Sequence, residues 1–166
     1  LGTSGDARST LASSARAALA RAIELDAGNV PAYTALVDLD LRTNVTSDKL
    51  RDTLGKLAAL TDGKANASPS LWIARGAVEQ RLGDIKAAEA SISRGLAAEP
   101  RNVSALLMAA DLALAANDAE RAKSYSVRLS SVNAPADTIK LLDARIAALE
   151  GRIDDALARL GEIKTP

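Results

Sequence analysis

The residues of this chain that could perform chemistry are closely spaced carboxylates. Asp38 with Asp40, and Asp154 with Asp155, have the residue type that general acid and base catalysis uses. Both pairs fall in segments with helical periodicity, and residues one or two positions apart on a helix point in different directions. We therefore predict surface or capping roles for these carboxylates and expect no catalytic residue.

A phosphate-binding loop and a metal site are also weighed against the sequence. Gly63 and Lys64 resemble the end of a phosphate loop, but the upstream glycine is missing and no Ser or Thr follows the lysine. The chain contains no Cys and no His, which excludes thiol nucleophiles, imidazole catalysis and the commonest metal ligands. The sequence therefore predicts no cofactor and no metal ion.

Composition and charge restrict the fold and the partners. The 166 residues are 48% hydrophobic but only 2% aromatic, so the core must consist of Ala, Leu, Ile and Val, which favours close helix packing. The 21 basic and 21 acidic residues balance, which argues against a nucleic-acid or membrane-surface partner. No apolar run approaches the roughly 20 residues of a membrane span. Since the chain begins without Met, we expect an excised piece whose targeting segment could lie upstream.

An internal repeat organises the sequence. Gly83, Asn117 and Gly151 are spaced by 34 residues, and an alanine follows each of them five positions later. Further upstream, residues 28–33 resemble residues 101–106 at an offset of 73, which is one period of 34 and one of 39. A period in this range indicates a solenoid, in which each unit is one helical hairpin that cannot bury its apolar face alone.

At this point the residues carry a family resemblance. The segment from Leu71 to Asn102 is similar to a tetratricopeptide repeat, and it matches that family's pattern at Trp72, Gly76, Gly83, Asp84, Ala88, Leu96, Pro100 and Asn102. The place of Trp72 in this pattern favours packing within the repeat over a role as an exposed ligand anchor. The last unit has Lys140 at the Trp position, so we expect its hairpin to be less regular.

The first complete unit departs most from the pattern. It has Tyr33 at the Trp position, Leu50 where a small residue is expected, and a length of 39 residues. We expect the extra residues in the turn near Asn44 and in the loop over residues 61–70.

The signature positions have physical reasons of their own. Small residues at Gly76 and Ala88 let two helices approach closely. Gly83 can take the left-handed conformation that ends a helix, and Asp84 can cap the next helix. Pro100 prevents the second helix from continuing. Each unit is therefore predicted to be a helix-turn-helix hairpin with tight ends.

The predicted fold is all-α, a right-handed superhelical solenoid of about nine helices in a single array over residues 1–166. The helices are expected near residues 7–26, 30–43, 47–60, 69–82, 85–99, 103–116, 119–131, 136–149 and 153–163. They form a half repeat at 7–29 and repeats at about 30–68, 69–102, 103–136 and 137–166. Because the array opens on half a repeat, we expect the native protein to continue upstream.

The resemblance implies a function in binding other proteins. Tetratricopeptide arrays usually scaffold protein complexes and hold a peptide or helix in a concave groove lined by first helices. The family's groove positions fall here on Thr34, Asp38, Leu41, Ile73, Ala77, Gln80, Leu107, Asp111, Leu114, Leu141, Arg145 and Ala148. We predict a non-enzymatic scaffold that binds an apolar extended or helical segment. The alternative is a regulatory or targeting domain of a larger enzyme or of a secretion or polysaccharide-export apparatus.

Three further expectations concern partners and location. Some tetratricopeptide domains bind the acidic C-terminal tail of chaperones, but the matching positions here are Ile73, Ala74, Ala77, Ser104 and Met108, so no affinity for such a tail is expected. The unpaired first helix predicts self-association through an exposed array end. The Ala-rich, Arg-over-Lys composition is typical of bacterial proteins. Related bacterial arrays often serve envelope assembly, pili or polysaccharide export, which leaves periplasm and cytoplasm as alternatives.

Overall fold

The computed structural model describes residues 3–64 and 66–163, with side chains from Thr10 onward, and these residues form helices joined by short turns. The helices are α1 (Thr3–Leu25), α2 (Val30–Arg42), α3 (Ser47–Thr61), α4 (Pro69–Arg81), α5 (Ile85–Ala98), α6 (Val103–Ala115), α7 (Ala119–Ser131), α8 (Ala136–Leu149) and α9 (Ile153–Gly161). The described part of the chain contains no β-strand. The predicted all-α fold class is therefore confirmed.

Most helix boundaries lie within one or two residues of the predicted ones. The largest difference is in α1, which begins at Thr3 and not near residue 7. Four of the five additional residues of the first complete unit lie in the predicted turn and loop, and the fifth lengthens α3. The turn between α2 and α3 has four residues and the later hairpin turns have three, while the loop between α3 and α4 has seven and the later loops have four.

Three hairpin turns contain a left-handed residue, and in two of them the next residue caps the following helix. Gly83 (φ 86°), Asn117 (φ 56°) and Gly151 (φ 76°) occupy the same position in three successive turns. Glycine adopts this conformation without a steric cost and asparagine tolerates it better than most residues. Asp84 and Asp118 then accept hydrogen bonds of 3.1 and 2.9 Å from backbone amides in the first turn of the next helix, which satisfies donors that the helix itself leaves open.

Small residues recur at the same two positions of the three later hairpins. All of these repeated positions are buried, and they are Gly76, Ala88, Ala110, Ala122, Ala144 and Ala156. The first complete unit has the larger Leu50 instead, which is also buried. Its helices α2 and α3 pack against each other less extensively than α6 and α7 do.

The described residues divide into two compact units between Ser91 and Ile92, within α5. In the first unit α2 packs against α1 and α4, and α3 packs against α4. In the second unit α7 packs against α6 and α8, and α9 packs against α8. Each unit has an aliphatic core, represented by Leu36, Leu57 and Val78 in the first and by Leu112 and Leu129 in the second. The predicted continuous array over residues 1–166 stays a prediction.

Candidate functional site

The predicted binding residues of the first unit lie on α2 and α4, which pack side by side and form what we call the α2–α4 surface. On α2, Thr34 and Leu41 are half-buried and Asp38 is exposed. The Asp38 carboxylate accepts a 2.8 Å hydrogen bond from Arg42 Nε on the same helix. This hydrogen bond raises the pKa of Arg42. The charge of Asp38 is therefore balanced locally.

The α4 part of this surface carries no charge at the predicted positions. Ile73, Ala77 and Gln80 are all half-buried, and Ala77 also packs against the core of the first unit. Ala74, at another of the positions that would contact a carboxylate, is buried. The α4 positions thus offer apolar contacts and a single amide, and no cation.

The predicted residues of the second unit lie on α6 and α8, which are in contact and form what we call the α6–α8 surface. Leu107, Asp111 and Leu114 are half-buried along α6, whereas Leu141, Arg145 and Ala148 are exposed along α8. Each helix thus presents one charged residue between two apolar ones. Arg145 Nη1 donates a hydrogen bond to Asp111 Oδ1 and joins the two helices. The result is an apolar surface around a neutralised ion pair.

The closely spaced carboxylates differ in their surroundings. Asp38 is exposed, whereas Asp40 is buried. Asp155 is paired with Arg152 and Arg159. Within residues 3–64 and 66–163, no group of three or more His, Cys, Asp or Glu side chains is placed to hold a metal ion. No helix in the same ranges is long and apolar enough to cross a membrane.

A polar network that the sequence did not predict lies beside the α2–α4 surface. Arg75 on α4 donates hydrogen bonds to Thr61 Oγ1 at 2.8 Å, to Glu79 Oε1 at 2.7 Å, and to Asp62. Its guanidinium carbon lies 5.5 Å from the ring centroid of Trp72. Burial alone would lower the pKa of Arg75, but the hydrogen bonds to Asp62 and Glu79 outweigh that effect and raise the pKa. Arg75 therefore stays charged and links the end of α3 to α4.

A buried carboxylate recurs at the same place in two successive hairpins. Glu79 on α4 accepts a 2.6 Å hydrogen bond from Ser91 on α5, and Asp40 on α2 accepts a 3.3 Å hydrogen bond from Thr53 on α3. Asp40 is also paired with Arg16 on α1. Each carboxylate is the eleventh residue of its helix, and each hydroxyl is the seventh residue of the following helix. The sequence signal for this buried carboxylate was an acidic residue on an apolar helix face, at the same position in two repeats.

Comparisons with known proteins address the fold. A scan against protein-family models finds no match, and a search of the curated proteins finds no similar sequence. A solved tetratricopeptide repeat protein from Parabacteroides merdae is 18% identical with a TM-score of 0.69, and the match covers 89% of this chain and 57% of that one. This chain therefore spans a little over half the length of that protein.

Two further solved structures are also similar to this chain in fold. MamA is 13% identical with a TM-score of 0.69, over 97% of this chain and 92% of MamA. PilW, a widely conserved type IV pilus biogenesis factor, is 18% identical with a TM-score of 0.58, over 92% and 84% of the two chains. The chain has the helical-repeat fold of tetratricopeptide repeat proteins, as its sequence predicted.

Proposed function

We propose that this chain is a non-enzymatic scaffold that binds a segment of a partner protein on its first helices. The observation that carries the proposal is the α6–α8 surface. There the Arg145–Asp111 ion pair is flanked by Leu107, Leu114 and Leu141. Leu141 is 46% exposed, whereas Leu107 and Leu114 are half-buried. Aliphatic side chains that group on one face and remain accessible to solvent are typical of interaction sites.

The chemistry of the α6–α8 surface favours an amphipathic helix or an apolar extended segment as the ligand. Its apolar side chains are separated by about two helical turns, which matches the spacing of anchor residues on one face of a ligand helix. The central charges already satisfy each other, so a charged ligand side chain would have to compete with that pair. An apolar ligand makes its contacts without this competition.

The likeness to PilW supports a setting for this scaffold. PilW is a pilus biogenesis factor, and we extend the proposal to a bacterial cell-envelope assembly or export complex. The alternative function is a regulatory or targeting domain of a larger enzyme or export apparatus, which would use the same surfaces. Both functions require a protein partner, and the partner's identity discriminates between them.

A pull-down with matched variants tests the scaffold. Leu141→Asp places a charge on the α6–α8 surface, whereas Leu157→Asp makes the same change on α9, where Leu157 is 61% exposed. We expect partners from a bacterial lysate to be retained by the unmodified chain and by Leu157→Asp but lost with Leu141→Asp. Retention of the same partners by all three proteins would show that the α6–α8 surface is not the binding site.

We also propose that α1 mediates association with a second copy. Leu11 and Leu25 are 69% and 73% exposed, and they lie seven residues on either side of the exposed Ala18. In an antiparallel pair of α1 helices, Leu11 of each copy would meet Leu25 of the other, and Ala18 would lie on the two-fold axis.

Because the chain has no cysteine, disulfide formation can report this arrangement. A mixture of Leu11→Cys and Leu25→Cys should form crosslinked dimers under oxidation more readily than either variant alone. Equal crosslinking by the separate variants would contradict the antiparallel arrangement, and a monomer at high concentration in sedimentation would contradict the association itself.

A further inference from the structure

The first unit contains a cleft with a partly polar lining. It has a volume of about 530 Å³ and opens between α1, the end of α2 and the start of α3. Its polar lining residues include Arg16, Arg42 and Lys49 together with Ser13, Thr43, Asn44 and Thr46. None of the twelve predicted groove residues contributes to it. The volume is within the range of sites that hold small ligands.

The lining of this cleft is positively charged. Arg16, Arg42 and Lys49 are opposed by one acidic residue, Asp40. Asp40 is only 1% exposed, and its carboxylate is occupied by Arg16 and by the Thr53 hydroxyl. Since the whole chain has no net charge, the excess of cations here is a local feature. Such an excess favours an anionic ligand.

Two of the cations are available to a ligand. Lys49 is exposed and makes no ion pair within the described residues. Arg42 is paired with Asp38, but Asp38 does not line the cleft and both side chains are well exposed. An exposed pair of this kind contributes little free energy, so a bound anion can compete with Asp38 for the guanidinium.

The start of α3 adds backbone donors to the same place. Thr46 precedes the helix in an extended conformation, and its side chain makes no cap hydrogen bond. Asp48 in the first turn is hydrogen-bonded to Arg51 at 2.8 Å, and it does not line the cleft. The first amides of this 15-residue helix are thus left open, at the end where the helix dipole favours negative charge.

We propose that this cleft binds the phosphate group of a small soluble molecule. Arg42 supplies a planar set of donors that matches an oxyanion, Lys49 supplies a mobile point charge, and the amides at the start of α3 complete the set. A cleft of about 530 Å³ also has room for the organic part of such a ligand. The phosphate of a lipid headgroup has the same chemistry, and the experiment separates the two sources.

Titration with inorganic phosphate, followed by amide resonances at constant ionic strength, tests the site. We expect saturable shifts of the Ser47 and Lys49 amides. We also expect Lys49→Gln to weaken phosphate binding about tenfold, a loss equivalent to about 1.4 kcal/mol. The matched control is Lys86→Gln, because Lys86 is an exposed lysine in the first turn of α5 and lies outside the cleft. Absence of shifts at Ser47, or an equal loss in Lys86→Gln, would overturn the proposal.

A second arm identifies the source of the phosphate. A soluble sugar phosphate should compete with inorganic phosphate at the same amides. Vesicles containing phosphatidylglycerol should retain no more protein than vesicles of phosphatidylcholine alone. Retention by the anionic vesicles that Lys49→Gln abolishes, without competition by the sugar phosphate, would overturn the assignment to a soluble molecule.

Discussion

Arg145 on α8 donates a hydrogen bond to Asp111 on α6, and the two residues are separated by 34 positions, one repeat step. Their side chains are 49% and 42% exposed. Solvent screens an ion pair at this exposure, so its contribution to stability is about 0.2–1 kcal/mol. Its larger consequence is for recognition, because it removes net charge from the centre of the α6–α8 surface.

Replacing Arg145 separates these two effects. Arg145→Gln should lower the free energy of unfolding by less than about 1 kcal/mol, since the pair is exposed. It should also leave Asp111 uncompensated, so that cationic peptides bind better and acidic peptides bind worse. Urea denaturation and peptide titration measure the two effects. Adding Asp111→Asn restores a neutral surface and should cancel the change in selectivity; failure to do so would show that the pair does not control it.

The hairpin contacts at small residues predict a clear stability effect. Ala88→Leu and Ala122→Leu should each destabilise the fold by about 1–3 kcal/mol, because the added atoms must separate helices that meet at fully buried alanines. Ala90→Leu, at an exposed position of α5, is the matched control and should change stability little. Chemical denaturation provides the measurement. Unchanged midpoints for both buried substitutions would contradict the hairpin register.

The network around Arg75 predicts a second, larger stability effect. Arg75→Met removes the cation from Glu79, which is only 2% exposed. Loss of one partner from a buried ion pair typically costs about 3–5 kcal/mol, and the hydrogen bond from Ser91 should keep the loss near the lower limit. Arg42→Met, which breaks the exposed pair with Asp38, is the control. The network would be dispensable if denaturation midpoints of the two variants were equal.

Sequence and structure agree where a local rule applies. The turns at Gly83 and Gly151 and the stop near Pro100 were predictable because backbone conformation depends on these residue types directly. The network of Arg75 and Glu79 was not predictable in the same way, because its partners come from other helices and only the packed hairpin brings them together. Arg145 and Asp111 were predicted as separate surface positions. Their pairing required the observed contact between α6 and α8.

Glu150 predicts a pH-dependent contribution to stability. Hydrogen bonds from Lys123 and Arg152 hold the pKa of Glu150 below its ordinary value. A lowered carboxyl pKa stabilises the folded state at pH values above the pKa of the unfolded chain, which is about 4.3. This stabilisation is lost as the pH falls through the pKa of the folded state. Glu150→Gln should therefore lower the urea midpoint at neutral pH and leave it unchanged in strong acid. A difference that stays constant across this range would exclude the linkage.

The contribution of Lys123 to stability should depend on pH in the opposite direction. Hydrogen bonds from its ammonium group to Glu120 and Glu150 raise the pKa of Lys123. Its contribution to stability is complete at pH values below the pKa of the unfolded chain, which is about 10.4. That contribution is lost as the pH rises through the raised pKa of the folded state. Lys123→Met should thus be least different from the unmodified chain at strongly alkaline pH. Lys86→Met, at an exposed lysine of α5, controls for the general effect of removing one positive charge.

The final prediction concerns a ligand that these surfaces should not bind. An acidic chaperone tail needs cations or amides on consecutive first helices, but α4 offers Ile73 and Ala77 at those positions and α6 offers Ser104 and Met108. Placing a carboxylate there would forgo charge-assisted hydrogen bonds, each contributing about 1.5–3 kcal/mol. Arg145 does not compensate, because the Asp111 carboxylate to which it is hydrogen-bonded would repel the carboxylate of the tail.

Calorimetric titration of two peptides distinguishes the possibilities. An acidic tail peptide should give no measurable binding, whereas an amphipathic helical peptide with apolar anchors two turns apart should bind. Leu107→Asp should abolish that binding, because it places a charge among the aliphatic contacts of the α6–α8 surface. Leu157→Asp, with its exposed site on α9, should bind the peptide normally. Tight binding of the acidic tail, or binding of the apolar peptide that is indifferent to Leu107→Asp, would show that the partner segment binds elsewhere.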